Sequence, residues 1–297
     1  MTHLDPMVTV IVLLSAAIHP LWNLILKGNK YPETIFLTVL VVSSVFGFVQ
    51  SQATGNDLMD LWHIGPLVVL SGLTVGVHGL MLVLALGRGD LSVYYPIIRS
   101  APLGIVAIGF FVLQRSYSPT LLLGIALVLG GAFFLQYRPD TRLLSEPMTL
   151  LFAVAAMLTS AVYSIIDAVA VQQVNPVVMY FGQSIVALAT FVVLLRARYK
   201  FASGPNFRVL FEYWMKNPWR HIVAGSLAYI SYYLILWAYH MGGNVAAVTS
   251  VRQASIPLSV IGAALILKEP SMNRRLLWAC VVTVGIVVII FFEQPAS

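Results

Sequence analysis

Two arginines stand inside apolar runs: Arg99 in VYYPIIRSAPLG (93–104) and Arg252 in TSVRQASIPLS (249–259), each followed by a proline, Pro102 or Pro257. A guanidinium is a permanent cation with a planar fork of donors that matches carboxylate and phosphate. Hydrocarbon cannot solvate it, and facing lipid each arginine would cost on the order of 3 kcal/mol or more. Both are therefore expected to face a shared interior, where two cations in a low dielectric require an anion. The internal candidate is Asp167 in SIIDAVAV. One carboxylate against two guanidinium groups leaves a positive cavity that a bound carboxylate or phosphate would complete. The competing reading is structural: Asp167 and backbone carbonyls satisfy both arginines, and the cluster only fixes packing.

Other polar groups fall inside apolar runs. In HPLWNLILK, His19, Trp22, Asn23 and Lys27 are spaced i, i+3, i+4 and i+8, so they share one helix face. Within a membrane such a face turns inward, toward a ligand or toward neighbouring helices. His78 is central in its own run and suits either packing or proton transfer. Tyr95, Tyr163 and Tyr232 lie deep enough to stack on a ligand or hydrogen-bond it. An aromatic box for an organic cation, with Asp167 exchanging protons, therefore stays open as the alternative. The sequence holds no metal-ligand cluster, nucleophile elbow, phosphate loop or basic helix for nucleic acid. Cys280 is the single cysteine, which excludes a disulfide framework. The expected partners are a small-molecule substrate, the lipid bilayer and protons, with no catalytic residue, cofactor, metal or nucleic acid.

The elements that must hold these residues are transmembrane helices. The 297 residues are 59% hydrophobic and 9% charged, against roughly 25% charged in soluble domains. Apolar runs recur at about twenty residues, the length that crosses the hydrocarbon core. Reading Gly, Pro, Asn and charges as punctuation gives ten helices near 7–26, 33–51, 64–86, 92–113, 118–137, 147–170, 175–196, 220–241, 245–267 and 273–292. The first run lacks a basic leader and a cleavage site, and it reads as a retained span. Arg99 and Arg252 are each the eighth residue of their span.

The halves repeat. At an offset of 153, Ala85, Gly89 and Arg99 match Ala238, Gly242 and Arg252; at 155, Pro102, Leu103, Leu121 and Gly130 match Pro257, Leu258, Leu276 and Gly285. His78 corresponds to Ser231. An odd number of spans per unit forces the second unit to insert upside down, so 1–142 and 143–297 read as two inverted five-helix repeats forming one transport domain. Gly124, Gly130, Gly131 and Gly285 mark the fifth and tenth spans for close packing. Of the 17 Lys and Arg, 14 fall in loops after odd-numbered spans, the other side holding Arg115 alone, which places the long loop 196–220 in the cytoplasm and both termini outside. In that loop Phe207, Leu210, Phe211 and Trp214 fit either the stripe of a short interfacial helix or a solvated loop that carries a few aromatics.

At these residues the chain resembles EamA-type members of the drug/metabolite transporter superfamily. HPLWNLILK is similar to that family's first-helix pattern, SVYYPIIRSAPL to its fourth-helix segment, VYSIIDAVAV to the start of the second repeat and SVRQASIPLSVIGAALILKEP to its ninth-helix segment. The resemblance covers essentially the whole chain. It implies ten helices in two inverted repeats, a central cavity facing each side in turn, and proton-coupled or exchange movement of small polar metabolites, usually outward. By position, Trp22, Asn23, Arg99, Asp167 and Arg252 would face that cavity. The glutamate usual after the fourth helix is Gln114 here, whereas the second repeat keeps Glu269. Eukaryotic relatives keep their termini in the cytosol, opposite to the charge count. Together these readings describe a secondary transporter of the bacterial inner membrane for an anionic or zwitterionic metabolite; a membrane enzyme or a structural subunit is the reading from another class.

Overall fold

The computed structural model of the chain describes residues 4–26, 29–88, 91–136, 146–201, 206–258 and 272–292. Its elements are α1 (Pro6–Leu26), α2 (Pro32–Ala53), a 3-10 turn (Leu58–Trp62), α3 (Gly65–Leu86), α4 (Leu91–Ile98), α5 (Ala101–Phe111), α6 (Pro119–Gln136), α7 (Pro147–Ala170) and α8 (Pro176–Phe201). They continue with α9 (Phe207–Met215), α10 (Pro218–His240), α11 (Val245–Val251), a second 3-10 turn (Arg252–Ala254) and α12 (Met272–Phe292). Among the described residues six helical stretches are long and apolar enough to cross a membrane: Pro32–Ala53, Gly65–Leu86, Tyr94–Phe111, Pro147–Ala170, Pro176–Lys200 and Pro218–His240. Pro6–Trp22, Pro119–Leu135 and Leu276–Phe291 are shorter apolar helices. The chain is an all-α protein of the multi-pass membrane type. Large apolar side chains such as Phe110, Phe111, Leu14 and Val193 point out of the bundle, as a lipid-facing surface requires. Residues 259–267 of the expected ninth span, Lys27, Gly89 and Glu269 lie outside the described residues, as does the side chain of Asn23.

Proline sets many of the helix starts. Pro32, Pro66, Pro102, Pro147 and Pro218 occupy the first turn of α2, α3, α5, α7 and α10, where a missing N–H costs no helical bond. Gly242, at a φ of 85°, ends α10. Its N–H donates to the Tyr239 carbonyl at 2.8 Å and the Gly243 N–H to that of Ala238 at 3.0 Å, which caps the last turn.

The fourth expected span is not one helix. Pro102 has no N–H to offer the Ile98 carbonyl, and its ring crowds that turn. The chain breaks at Arg99–Ser100, with Ser100 N–H bonded three residues back to Ile97 at 3.0 Å. Arg252 likewise opens the 3-10 turn that ends α11, five residues ahead of Pro257. Both arginines thus stand at breaks in apolar helices.

α6 packs along α12, α3 against α7 and α8, α10 against α1 and α2, and α2 against α8. α4 and α5 lie on α7, α11 and its 3-10 turn lie on α1, and α5 meets α11. A short helix forms there as α9, with the Asn206 side chain accepting the Val209 N–H at 3.0 Å. Its apolar stripe divides. Leu210 is buried, and the Trp214 indole N–H donates to Thr38 on α2 at 3.0 Å, whereas Phe211 is 62% exposed.

Close approach of α6 and α12 depends on glycine. A Cβ at Gly285 would lie 2.8 Å from the Gly124 carbonyl oxygen and from the Val128 nitrogen, and one at Gly131 would lie 2.8 Å from Val282. Gly130 has open space instead. Gly285→Leu should lower the stability of the purified protein by about 1–3 kcal/mol through overpacking, read as a fall in melting temperature. Gly130→Ala should leave it unchanged.

Candidate functional site: two arginines at facing helix breaks

The two breaks face each other across a cavity of about 320 Å³. Arg99, Arg252, His19, Trp22, Tyr95, Tyr163, Tyr232 and His78 all line it, so eight of the ten residues singled out from the sequence meet there. Asn23 lies on the same helix as His19 and Trp22.

The arginines are held unequally. Gln253 grips Arg99 at both ends: its Oε1 accepts from Arg99 Nε at 3.0 Å and from a terminal nitrogen at 2.8 Å, while its own amide donates to the Arg99 carbonyl at 2.9 Å. That carbonyl lies at the helix break, so one side chain satisfies both the cation and a backbone group released by the break. Ser255 Oγ accepts a further bond from Arg99 at 2.8 Å, and the Tyr95 ring centroid is 5.8 Å from the guanidinium carbon.

Arg252 has far less. A terminal nitrogen approaches His19 Nδ1 at 3.4 Å, which is long, and the guanidinium lies 5.5 Å from the centroid of the Tyr232 ring. Its Nε is buried and has no hydrogen-bond partner among the described residues. An unsatisfied donor on a charged group in such a place is costly unless something binds it.

Asp167 does not answer either arginine, which corrects the expectation that it lies between them. It is fully buried behind the cavity wall. Gln183 Nε2 lies 2.8 and 2.7 Å from its two oxygens, Tyr232 donates its hydroxyl to Oδ2 at 2.5 Å, and Ser71 donates to Oδ1. Asp167 is on α7 and its partners come from α3, α8 and α10, whereas the arginines are delivered by other helices. The cavity therefore presents guanidinium groups and aromatic rings, with the carboxylate one residue further back.

His78 is tied down. Its Nδ1 bonds to the Ala156 carbonyl at 2.9 Å, and its ring meets Tyr163 edge-on at 5.5 Å. The opposite half does the same with smaller groups: Ser15 donates to the Ser231 carbonyl at 2.6 Å and Ser231 to that of Ser15 at 3.1 Å. The sequence reading passed over Gln253, Gln183, Ser71 and Ser255. Both glutamines are neutral amides inside apolar runs, and a search for buried polar groups as well as for charges would have found them.

No family model matches the chain, and no curated protein matches its sequence. A protein of known crystal structure is 17% identical, superposes with a TM-score of 0.71, and is matched over 95% of this chain and 96% of its own. That likeness shows a shared fold.

Unequal holding predicts unequal costs. Arg99→Met strands the Gln253 and Ser255 acceptors and should destabilise the ligand-free protein by about 1–3 kcal/mol. Arg252→Met removes a poorly partnered cation and should leave the melting temperature level or higher. A greater loss for Arg252→Met than for Arg99→Met would contradict this assignment.

Proposed function

We propose that the chain is an EamA-type secondary transporter of the bacterial inner membrane, with ten spans in two inverted five-helix repeats. It moves a small anionic or zwitterionic metabolite, outward, by alternating access. The observation that carries this reading is Arg252, which lines the same cavity as Arg99 while its buried Nε has no partner, and among the described residues no carboxylate is paired to either arginine. A bound carboxylate or phosphate would supply the acceptor that the protein withholds. The cavity volume lies at the lower end of small-molecule sites, which run from about 300 to 1,000 Å³.

The packing pattern supports the repeat. Shifting each span by five converts the α3 contacts with α7 and α8 into the α10 contacts with α1 and α2. The same shift returns the α2–α8 and α6–α12 pairs to themselves. It also pairs the Arg99 break with the Arg252 break and the His78 bond with the Ser231 bond. Units related in this way can rock about a fixed central site.

The alternative, an exporter of organic cations through Asp167, is less well supported. Its carboxylate is buried and already bonded, and the groups that a cation would meet include two guanidiniums.

A thermal-shift panel of carboxylates, phosphates and amines on the purified protein tests this directly. An anion at a hundred times its dissociation constant should stabilise the folded state by about 2.7 kcal/mol, and Arg252→Lys should weaken that stabilisation by removing the planar fork. Stabilisation by amines alone would favour the cation reading.

A further inference from the structure

The donors around Asp167 impose a constraint that the anion cavity does not use. Gln183 Nε2 lies 2.7 Å from Ser71 Oγ as well as close to both carboxylate oxygens. It has two hydrogens, so one goes to Ser71 and the other is shared by the carboxylate. Ser71 then gives its own hydrogen to Oδ1, and Tyr232 gives its own to Oδ2. Every neighbour is a donor, which suits an ionised carboxylate and leaves no acceptor for an acid proton.

Adding a proton therefore forces a rearrangement. Each oxygen already receives a hydroxyl and a share of Gln183, but Ser71 Oγ itself accepts from Gln183 whereas no described group donates to the Tyr232 oxygen, so the proton is placed on Oδ2, beside the free acceptor. The acceptor within reach is the Tyr232 hydroxyl oxygen, 2.5 Å away. Once Tyr232 accepts, its own O–H must leave Asp167 and turn toward the cavity that Tyr232 lines. Arg252 stands over that same ring at 5.5 Å. One proton at Asp167 thus turns the Tyr232 hydroxyl from a donor held by the carboxylate into a donor free to serve the cavity, beside the guanidinium whose Nε lacks a partner.

We propose that Asp167 is a proton-binding site linked to the cavity through the Tyr232 hydroxyl, so that an anion is taken up together with one proton. The proposal rests on the anion reading of the cavity. No bond other than O–H is made or broken, and the proton comes from water and returns to it. The groups bonded to Asp167 are Ser71 from α3, Gln183 from α8 and Tyr232 from α10; Tyr163, Tyr180 and Tyr239 lie near enough to feel its charge. Arg252 acts across the Tyr232 ring. His19 and His78 line the cavity and are the rival proton acceptors.

The test measures binding of sulfate and of methanesulfonate, which stay fully ionised throughout, to purified protein from acidic to neutral pH, together with proton release or uptake in weak buffer. Wild type should bind the better of the two more tightly as pH falls, by up to about tenfold per pH unit, the slope that one linked proton gives, with uptake of one proton per ligand. Asp167→Asn keeps a donor toward Tyr232 and should bind at the acidic-limit affinity at every pH, without proton uptake. Tyr232→Phe leaves the carboxylate in place and should lose the pH slope. Binding with no uptake in wild type overturns the proposal and leaves the anion site standing. Uptake that persists in both variants assigns the proton to a histidine and also overturns it. Failure of both anions to bind, where the wider panel finds no anion either, removes the anion reading and this proposal with it.

Discussion

Hydrocarbon solvates neither a cation nor an open backbone carbonyl, and the centre of this bundle contains both. Pro102 breaks one apolar helix and a 3-10 turn interrupts another, and each interruption carries an arginine. At the first break Gln253 satisfies the guanidinium and the Arg99 carbonyl together, which joins the first half of the chain to the second through one side chain. Around that junction, α6 and α12 close on their glycines. The cavity is the space that remains between helices held apart by the two breaks.

The halves resemble each other in where they break and differ in how the breaks are filled. Gln253 follows Arg252 and reaches Arg99, whereas the corresponding residue after Arg99 is Ser100, which turns back to the Pro96 carbonyl at 2.7 Å. The first arginine is consequently held by three hydrogen bonds and the second by one long contact. A transporter needs a site that holds its ligand without making that ligand a permanent part of the fold. Under the proposed transport role, an arginine left underserved, with the Asp167 carboxylate held behind a tyrosine, gives a site that a ligand completes.

Much of the architecture was legible in the sequence because helix starts, apolar runs and prolines act locally. The helix starts at Pro32, Pro147 and Pro218 follow from first-turn proline, and the glycines of α6 and α12 follow from spacing and repeat. The break at Arg99 was less visible. Pro102 signalled it, but an apolar run of the right length reads as one helix. Asp167 shows where sequence reasoning stops: desolvation correctly says that a carboxylate among apolar residues must be compensated, yet spacing along α7 cannot say which helix faces it. Charge invited a partnership with the arginines, and packing supplied Ser71, Gln183 and Tyr232 instead. Gln253 was missed for the opposite reason, because an amide carries no charge to attract notice although its burial demands partners just as firmly.

The central claim is that the cavity is built for an anion at Arg252. Anomalous diffraction from crystals soaked in selenate, with a matched set in rubidium, locates heavy ions by element and needs no knowledge of the natural substrate. The account predicts a selenium peak within hydrogen-bond reach of the Arg252 guanidinium, and no rubidium in the cavity. Rubidium against the aromatic rings, with selenate absent from the arginines, would contradict it.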